Sequence, residues 1–145
     1  MSMTQIAFLK KGETLSRQRI QESINSLGYD FTIMDDFESI YTIDGLTCKI
    51  NGHETYFEMY FNSAAEIVAN NSWIESDLTD QDTAISFVWG ANFAAGACIG
   101  LISIALIDNC DALIYYMDDE MKYTKEMLLS DTPQFLTELE KRRNR

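Results

Sequence analysis

Two short acidic segments of this sequence contain several carboxylates that could bind a metal ion. They contain Asp77, Asp80 and Asp82, and the consecutive residues Asp118, Asp119 and Glu120. Carboxylate oxygens bind Ca²⁺ and Mg²⁺ when their spacing forms a cage. Neither segment has the EF-hand order, which needs alternating oxygens, a glycine at the sixth position and a closing glutamate. We therefore interpret both segments as solvated loops and predict no metal site and no cofactor.

His53 is the only histidine in the chain, so any catalytic triad or two-histidine metal site must include it. It follows Gly52 at a predicted hairpin loop, an exposed position, and nothing local pairs it with a cysteine or serine nucleophile. Gly96-x-x-x-Gly100 lacks the Lys-Ser/Thr pair that a phosphate cradle needs. Carboxylates are abundant, but no spacing singles out an acid–base pair. The sequence therefore predicts no catalytic residue and a protein that is not an enzyme.

The charge of the chain is distributed unevenly. Between Ile20 and Met121 there are eighteen carboxylates and one basic side chain, Lys49, and the whole chain has a formal charge of −12. Interleaved charges reduce self-repulsion, so this acidic middle is left uncompensated unless a cationic partner binds. Nucleic-acid phosphates require clustered Lys and Arg, and anionic membranes attract bases. We therefore expect a cationic protein partner and predict no binding of nucleic acid or membranes.

The order of predicted elements indicates one domain over residues 1–145 with an α+β fold. Strands and helices mix without strict alternation, and 46% of the residues are apolar, enough for a core. We expect a mixed, mostly antiparallel sheet with a β-hairpin, a buried central helix and packed terminal helices. The predicted strands are Thr4–Leu9, Phe31–Met34, Leu46–Ile50, His53–Phe61, Ile85–Trp89 and Ala112–Met117. The predicted helices are Thr14–Leu27, Asn62–Ala69, Ala91–Ile107 and a short helix from Thr124. A last helix is predicted with Thr132 as its N-cap and Pro133 as its first residue. Asn70 to Thr83 is predicted to be a polar, acidic connection.

The hairpin is the clearest local signal, with Asn51-Gly52 as its two-residue loop. This loop length pairs Ile50 with His53 and places alternate side chains on opposite faces. One face then carries the apolar residues Leu46, Cys48, Ile50, Phe57, Met59 and Phe61, and the other carries Thr47, Lys49, Glu54, Tyr56, Glu58 and Tyr60. Tyrosines anchor interfaces, and carboxylates beside them suit Lys and Arg of a partner. The alternative is that a helix covers this second face, with the tyrosine hydroxyls reaching water at its rim.

The uncharged stretch from Ala84 to Ile107 is long enough to span a bilayer. Its flanks are acidic, without the Lys or Arg that sets the orientation of a span. Gly90 divides it into a strand and a helix rich in small residues. We therefore predict a buried strand–turn–helix, in which Gly96 and Gly100 allow close packing against a sheet.

Cysteine usage and the first residues of the chain indicate a cytoplasmic protein. Cys48, Cys98 and Cys110 are an odd set in apolar or small-residue contexts, which is typical of reduced core thiols. The opening MSMTQIAFLKK has no basic leader before its short apolar run, unlike a signal peptide. We therefore expect no secretion signal and a reducing cytoplasmic environment.

Several segments resemble those of one group of proteins. They are Gly45-Leu46-Thr47-Cys48-x-x-x-Gly52 leading into Tyr56-Phe57-Glu58-Met59-Tyr60, Phe87-Val88-Trp89-Gly90 before a small-residue helix, and Ala112-Leu113-Ile114-Tyr115-Tyr116 before an acidic turn. In these segments, about half of the chain, and as a small acidic domain, the sequence resembles immunity proteins of bacterial contact-dependent inhibition and other polymorphic toxin systems. The resemblance implies a cytoplasmic protein that binds and neutralises a cationic toxin domain, such as a nuclease.

The binding residues follow from charge and from the predicted hairpin faces, because the resemblance carries no binding motif. We predict that the partner contacts Tyr56, Glu58, Tyr60, Asp77, Asp80, Asp82, Asp118, Asp119 and Glu120. Two alternatives remain open. An acidic nucleic-acid mimic should space its carboxylates like phosphates along an elongated surface, whereas here they cluster in loops. A small enzyme or ligand-binding domain would assemble its site in space, where one sequence does not reveal it.

Overall fold

The computed structural model describes residues 2–12 and 15–143, and their arrangement confirms the α+β fold. The strands are β1 (Met3–Leu9), β2 (Phe31–Ile33), β3 (Gly45–Ile50), β4 (His53–Ser63), β5 (Thr83–Trp89), β6 (Leu113–Tyr116) and β7 (Met121–Tyr123). The α-helices are α1 (Arg17–Asn25), α2 (Ala64–Asn70), α3 (Phe93–Cys110) and α4 (Lys125–Arg143), with short 3-10 turns at Ile40–Thr42, Ser72–Asp77 and Met117–Asp119. The predicted start of the first helix, Thr14, lies outside the described residues.

The seven strands form one sheet in the order β2-β3-β4-β5-β1-β6-β7, and all neighbouring pairs are antiparallel. The two-residue loop has the register that the sequence predicts, with Ile50 opposite His53. Asn51 and Gly52 have φ values of 49° and 83°, the positive values that a tight hairpin loop of this kind requires. The expected hairpin is therefore confirmed, and the sheet is antiparallel throughout rather than mixed.

One face of the sheet, called here the helical face, is covered by α1, α3 and α4. Every residue of α3 from Ala94 to Leu106 is buried, and the buried Gln5 of β1 donates from Nε2 to Ser103 Oγ at 2.8 Å. This helix has 18 residues and a mean hydropathy of 1.8, enough in length and composition for a membrane span, yet 72% of it is buried inside the protein. Core helices meet the same criteria, so the predicted buried central helix is confirmed.

The glycines of α3 face a neighbour that the sequence did not predict. An added Cβ at Gly100 would lie 2.9 Å from Thr132 Oγ1, and one at Gly96 would lie 3.5 Å from the ring of Phe135. Both neighbours belong to α4. The closest approach that these glycines permit is therefore between two helices, rather than between a helix and the sheet.

The C-terminal region differs from its prediction in two ways. Residues Met121–Tyr123 form an edge strand, and a single helix continues through Pro133, where a new helix was expected. Thr132 is not an N-cap: it is 1% exposed, and its Oγ1 donates to the Leu128 carbonyl at 2.9 Å. Leu128 and Leu136 are buried on the two sides of Pro133. Packing against α3 therefore outweighs the backbone hydrogen bond that proline removes.

The opposite face of the sheet, called here the open face, is covered only in part. The predicted polar connection contains the 3-10 turn Ser72–Asp77, and its Ile74 is 0% exposed. Together with α2, this turn encloses a second apolar cluster around Phe8 and Tyr115. Asn70 to Thr83 is therefore partly a packed element rather than a solvated connection.

Candidate functional site

The uncovered part of the open face carries most of the exposed large apolar side chains. Met34, Tyr56 and Tyr60 are 51%, 57% and 51% exposed, and no helix of the described residues lies over them. Tyr56 lies opposite Thr47 of β3, and the Met34 amide donates to the Thr47 carbonyl at 2.9 Å, which brings β2, β3 and β4 into one row. We call Met34, Asp44, Tyr56, Glu58 and Tyr60 the tyrosine patch.

Glu58 and Tyr60 are linked on the surface of the patch. Two positions apart on β4, both side chains point to the open face, and the Tyr60 hydroxyl donates to Glu58 Oε2 at 2.7 Å. This hydrogen bond and then the charge of Glu58 raise the pKa of Tyr60, with Asp44 adding in the same direction. The patch therefore combines aromatic surface with negative potential, which suits a cationic side chain.

Gly45 sets the position of the Tyr56 ring. A Cβ built on Gly45 would lie 2.6 and 2.7 Å from two ring carbons of Tyr56, so the ring lies directly over the glycine backbone. Since the Tyr56 side chain is 57% exposed, it has room to move away if this position gained a side chain. The lack of a side chain at position 45 therefore leaves the space that the Tyr56 ring occupies.

A groove of about 540 Å³ continues from the patch to the pair of rings formed by Tyr41 and Phe61. Asp35 and Asp44 also line this groove. The Tyr41 hydroxyl is buried and has no hydrogen-bond partner within residues 2–12 and 15–143, and burial is the main cause that raises its pKa to about 12. Lys11 lies over the far side of this ring, 5.7 Å from its centroid. The acidic surface thus ends at a basic side chain from the N-terminal segment.

Three of the predicted binding carboxylates accept hydrogen bonds from residues distant in the sequence. Asp77 accepts from the Tyr115 hydroxyl at 2.6 Å, and Asp118 accepts from the Thr4 amide at 2.8 Å. Asp82 accepts from the Lys11 amide at 2.9 Å and from Thr83 Oγ1 at 2.9 Å. These bonds lower the pKa of Asp82, and the amide of Lys11 contributes most. All three carboxylates hold the fold together as well as carrying charge.

The structure brings Glu58 and Asp118 to the same end of the sheet. Glu58 lies opposite Val88 of β5, and Val88 lies opposite Thr4 of β1. The amide of Thr4 is the donor to Asp118. These positions form one row across neighbouring strands, in which Glu58 and Thr4 are separated by two strand spacings, about 10 Å.

Asp80 and Asp82 lie at the opposite end of the sheet. They precede β5 at Thr83, five residues from Val88, which corresponds to about 17 Å along an extended strand. Lys10 lines a small groove together with Asp80. The acidic connection before β5 is therefore separate from the tyrosine patch and lies next to basic residues.

Asp119 and Glu120 are exposed in the turn between β6 and β7. Glu120 has a φ of 48°, the left-handed conformation with which this turn closes. Burial and then the charges of Asp118 and Asp119 raise the pKa of the adjacent Tyr116. This turn influences the edge of the sheet rather than the tyrosine patch.

Sequence reasoning missed several features of the site. Met34 and Asp44 join the patch only because β2 and the chain before β3 lie beside the hairpin, a pairing without a local signal. His53 is less exposed than expected, with its side chain 24% exposed and its Nε2 3.5 Å from Glu140 Oε1 of α4. Across residues 2–12 and 15–143, no group of three His, Cys, Asp or Glu side chains could hold a metal ion.

Comparison of the chain with protein-family models, with curated proteins and with solved structures found no match.

Proposed function

We propose that this chain is a cytoplasmic immunity protein that binds and neutralises a cationic toxin domain, such as a nuclease, through the tyrosine patch. The observation that carries the proposal is the pair of half-exposed tyrosines on either side of Glu58, on a sheet face that no helix covers at this point. The formal charge of −12 and the resemblance of several segments to immunity proteins point in the same direction.

The physical basis of neutralisation is electrostatic and steric. Opposite potentials increase the rate at which an acidic inhibitor meets a basic enzyme. Once bound, tyrosine rings supply contact area at a small cost in side-chain entropy, and carboxylates pair with Lys and Arg in the groove that an enzyme uses for phosphates. A rigid sheet surface suits this task because its side chains need little reordering on binding.

Copurification tests the proposal directly. The bait is this chain, and the candidate partner is the basic C-terminal domain of a large secreted protein encoded by a neighbouring reading frame. We expect a stable complex and loss of the toxic activity of that domain. A neighbouring basic domain that neither binds this chain nor is inhibited by it would contradict the proposal.

Charge reversal locates the interface. Glu58→Lys should weaken binding by at least tenfold, because it places a positive charge between two tyrosines that face a cationic partner. Asp80→Lys is the matched control, since it makes the same charge change at the other end of the sheet and should weaken binding much less. Equal effects of the two variants would show that overall charge, and not the patch, determines affinity.

A glycine substitution tests the position of the ring without removing an aromatic side chain. Gly45→Ala should displace the Tyr56 ring and weaken binding, while the charge and composition of the patch stay unchanged.

The salt dependence of association tests electrostatic steering. Association should slow by roughly tenfold between low and physiological salt. Unchanged affinity in Gly45→Ala and Glu58→Lys, together with salt-independent association, would place the interface elsewhere.

A further inference from the structure

A cavity of about 210 Å³ lies between the helical face of the sheet and the α3–α4 pair. Gln5 and Trp89 line it from the sheet, Gly96 and Gly100 from α3, and Thr132 from α4. The two glycines contribute no side chain to this lining. An engineered protein cavity of about 150 Å³ holds benzene, so this volume is sufficient for a small monocyclic molecule.

Four aromatic rings line this cavity, those of Trp89, Tyr116, Tyr123 and Phe135. The rings of Tyr116 and Tyr123 stack with centroids 5.8 Å apart and planes 15° apart. Trp89 contacts Tyr116 with centroids 6.3 Å apart, and Phe135 lines the cavity from α4. The face of an aromatic ring carries negative potential and attracts a cation, most strongly for Trp and Tyr.

The charged groups near these rings are negative. Asp131 lines the cavity, and among the described residues no Lys, Arg or His lines it. Burial, and then the charge of Asp131, raise the pKa of Tyr123, and Asp119 acts in the same direction. Gln5, which also lines the cavity, is 4% exposed and is held in place by the hydrogen bond from its Nε2 to Ser103 Oγ at 2.8 Å.

We propose that this cavity binds a small organic cation, an alkylammonium or arylalkylammonium whose apolar body contacts the rings and whose charge is balanced by Asp131. An anion would meet the carboxylate of Asp131 without a basic partner. A neutral apolar molecule would leave the charge of Asp131 without an opposite charge. An organic cation satisfies the carboxylate with its charge and the aromatic lining with its apolar body.

The ligand is a free small molecule rather than a side chain of a protein partner. Gln5, Leu128 and Thr132, which line the cavity, are 4%, 2% and 1% exposed, whereas Asp131 and Tyr123 are half-buried, so the space extends from the core layer toward the surface. The cavity is on the helical face, and the tyrosine patch is on the open face. This inference is therefore independent of the proposed toxin-binding function.

Three probes with one carbon skeleton test the charge preference at pH 7. They are 2-phenylethylamine, which is cationic, 2-phenylethanol, which is neutral, and phenylacetate, which is anionic. Binding is followed by NMR of the tryptophan indole N–H groups, because Trp89 lines the cavity. Trp73 packs on the open face of the sheet and serves as an internal control. We expect the amine to shift the Trp89 signal but not the Trp73 signal, and to bind at least tenfold more tightly than the alcohol.

Variants separate the charge from the space. Asp131→Asn should reduce the preference for amine over alcohol to less than threefold, whereas Glu126→Gln, which removes an exposed carboxylate from the same helix, should leave the preference unchanged. Gly96→Leu should abolish binding of both probes by filling the cavity. The melting temperature and the Trp73 signal of Gly96→Leu report whether this variant is folded. If it is not folded, the proposal is tested by Asp131→Asn alone.

Three results would each overturn the proposal. They are no shift of the Trp89 signal with any probe, tighter binding of phenylacetate than of the amine, and an unchanged preference for the amine in Asp131→Asn. Glu58→Lys provides the separation from the proposed function, since it should retain full affinity for the amine. Amine binding without toxin binding, or the reverse, would therefore identify which of the two proposals fails.

Discussion

The two faces of the sheet share the same strands but differ in what covers them. On β4, Phe57 points to the helical face and is 1% exposed, while its neighbour Tyr56 points to the open face and is 57% exposed. Phe57 packs edge-on against Phe87 at 6.0 Å, whereas the Tyr56 ring lies on a glycine backbone next to solvent. Adjacent residues of one strand therefore serve stability and surface recognition separately.

The two faces differ in how freely the side chains of a strand can be replaced. On the helical face the side chains fit against α1, α3 and α4, so a change in volume affects the packing. On the uncovered part of the open face, the side chains contact solvent and one another. This separation lets a binding surface change its chemistry without a large effect on the free energy of unfolding.

The largest expected difference between the faces comes from truncating these two neighbours. Phe57→Ala should lower the free energy of unfolding by about 3–5 kcal/mol, because it leaves a cavity beneath α3. Tyr56→Ala should lower it by less than about 1 kcal/mol, mainly through lost strand propensity. Urea unfolding measures both values. Similar losses for the two variants would show that the open face is covered in solution.

A smaller effect is expected where α3 meets α4 over the helical face. Gly100→Ala should cost about 1–3 kcal/mol, since the added Cβ would lie 2.9 Å from the buried Thr132 Oγ1. Gly96→Ala is the matched control, because its Cβ would make an ordinary contact at 3.5 Å and alanine favours the helix by up to about 1 kcal/mol. Equal unfolding free energies for the two variants would contradict the close approach at Gly100.

The covered part of the open face offers a test through pH. Burial first, and then the bond to Asp77, raise the pKa of Tyr115 in the folded protein. The unfolded tyrosine ionises near pH 10 while the folded one stays protonated, so this stabilisation is complete below pH 10 and declines as the pH rises above it. Tyr115→Phe should cost about 1–2 kcal/mol at pH 7 and should flatten the decline between pH 10 and 11.5.

The measurement for this prediction is urea unfolding of the wild type and of Tyr115→Phe across that pH range. Asp77→Asn retains an acceptor for the hydroxyl and should cost less at pH 7. A variant that declines as steeply as the wild type would assign the alkaline instability to other tyrosines.

The smallest effect concerns the uncovered part of the open face. Glu58→Gln should lower the pKa of Tyr60, because the hydrogen bond from the Tyr60 hydroxyl to the Glu58 carboxylate is the main cause of the raised pKa. The free energy of unfolding should change by less than about 0.5 kcal/mol, as is usual at exposed positions. NMR titration of the Tyr60 ring tests this, with Glu54→Gln on the same strand as the control. An unchanged Tyr60 titration in Glu58→Gln would mean that the bond does not persist in solution.

The sequence predicted the parts of the fold that depend on neighbouring residues. Asn51-Gly52 determined the hairpin register, and the alternation from Leu46 to Tyr60 assigned side chains to the correct faces. Thr132-Pro133 was misleading, because a local helix-start signal was overruled by Leu128 and Leu136 packing on α3. Local signals decide where the alternatives are close in energy, and tertiary packing decides where burial adds several kcal/mol.

The candidate site was predictable only in part. The stripe of Tyr56, Glu58 and Tyr60 follows from the two-residue period of one hairpin. The addition of Met34, the internal hydrogen bonds of Asp77 and Asp118, and the cavity above Gly96 all depend on contacts between distant segments. One sequence does not specify which distant segments meet.

By itself, then, the sequence determined the charge distribution, the hairpin with its two faces and the buried character of α3, since each is a property of composition or of local periodicity. Only the tertiary structure decided that α2 and the Ser72–Asp77 turn stop short of Tyr56 and Tyr60, which leaves the tyrosine patch uncovered. It also decided that α3 and α4 enclose a cavity between them and the sheet. The physical reason is that coverage depends on how elements distant in sequence fit together in space, while periodicity shows only which residues require cover.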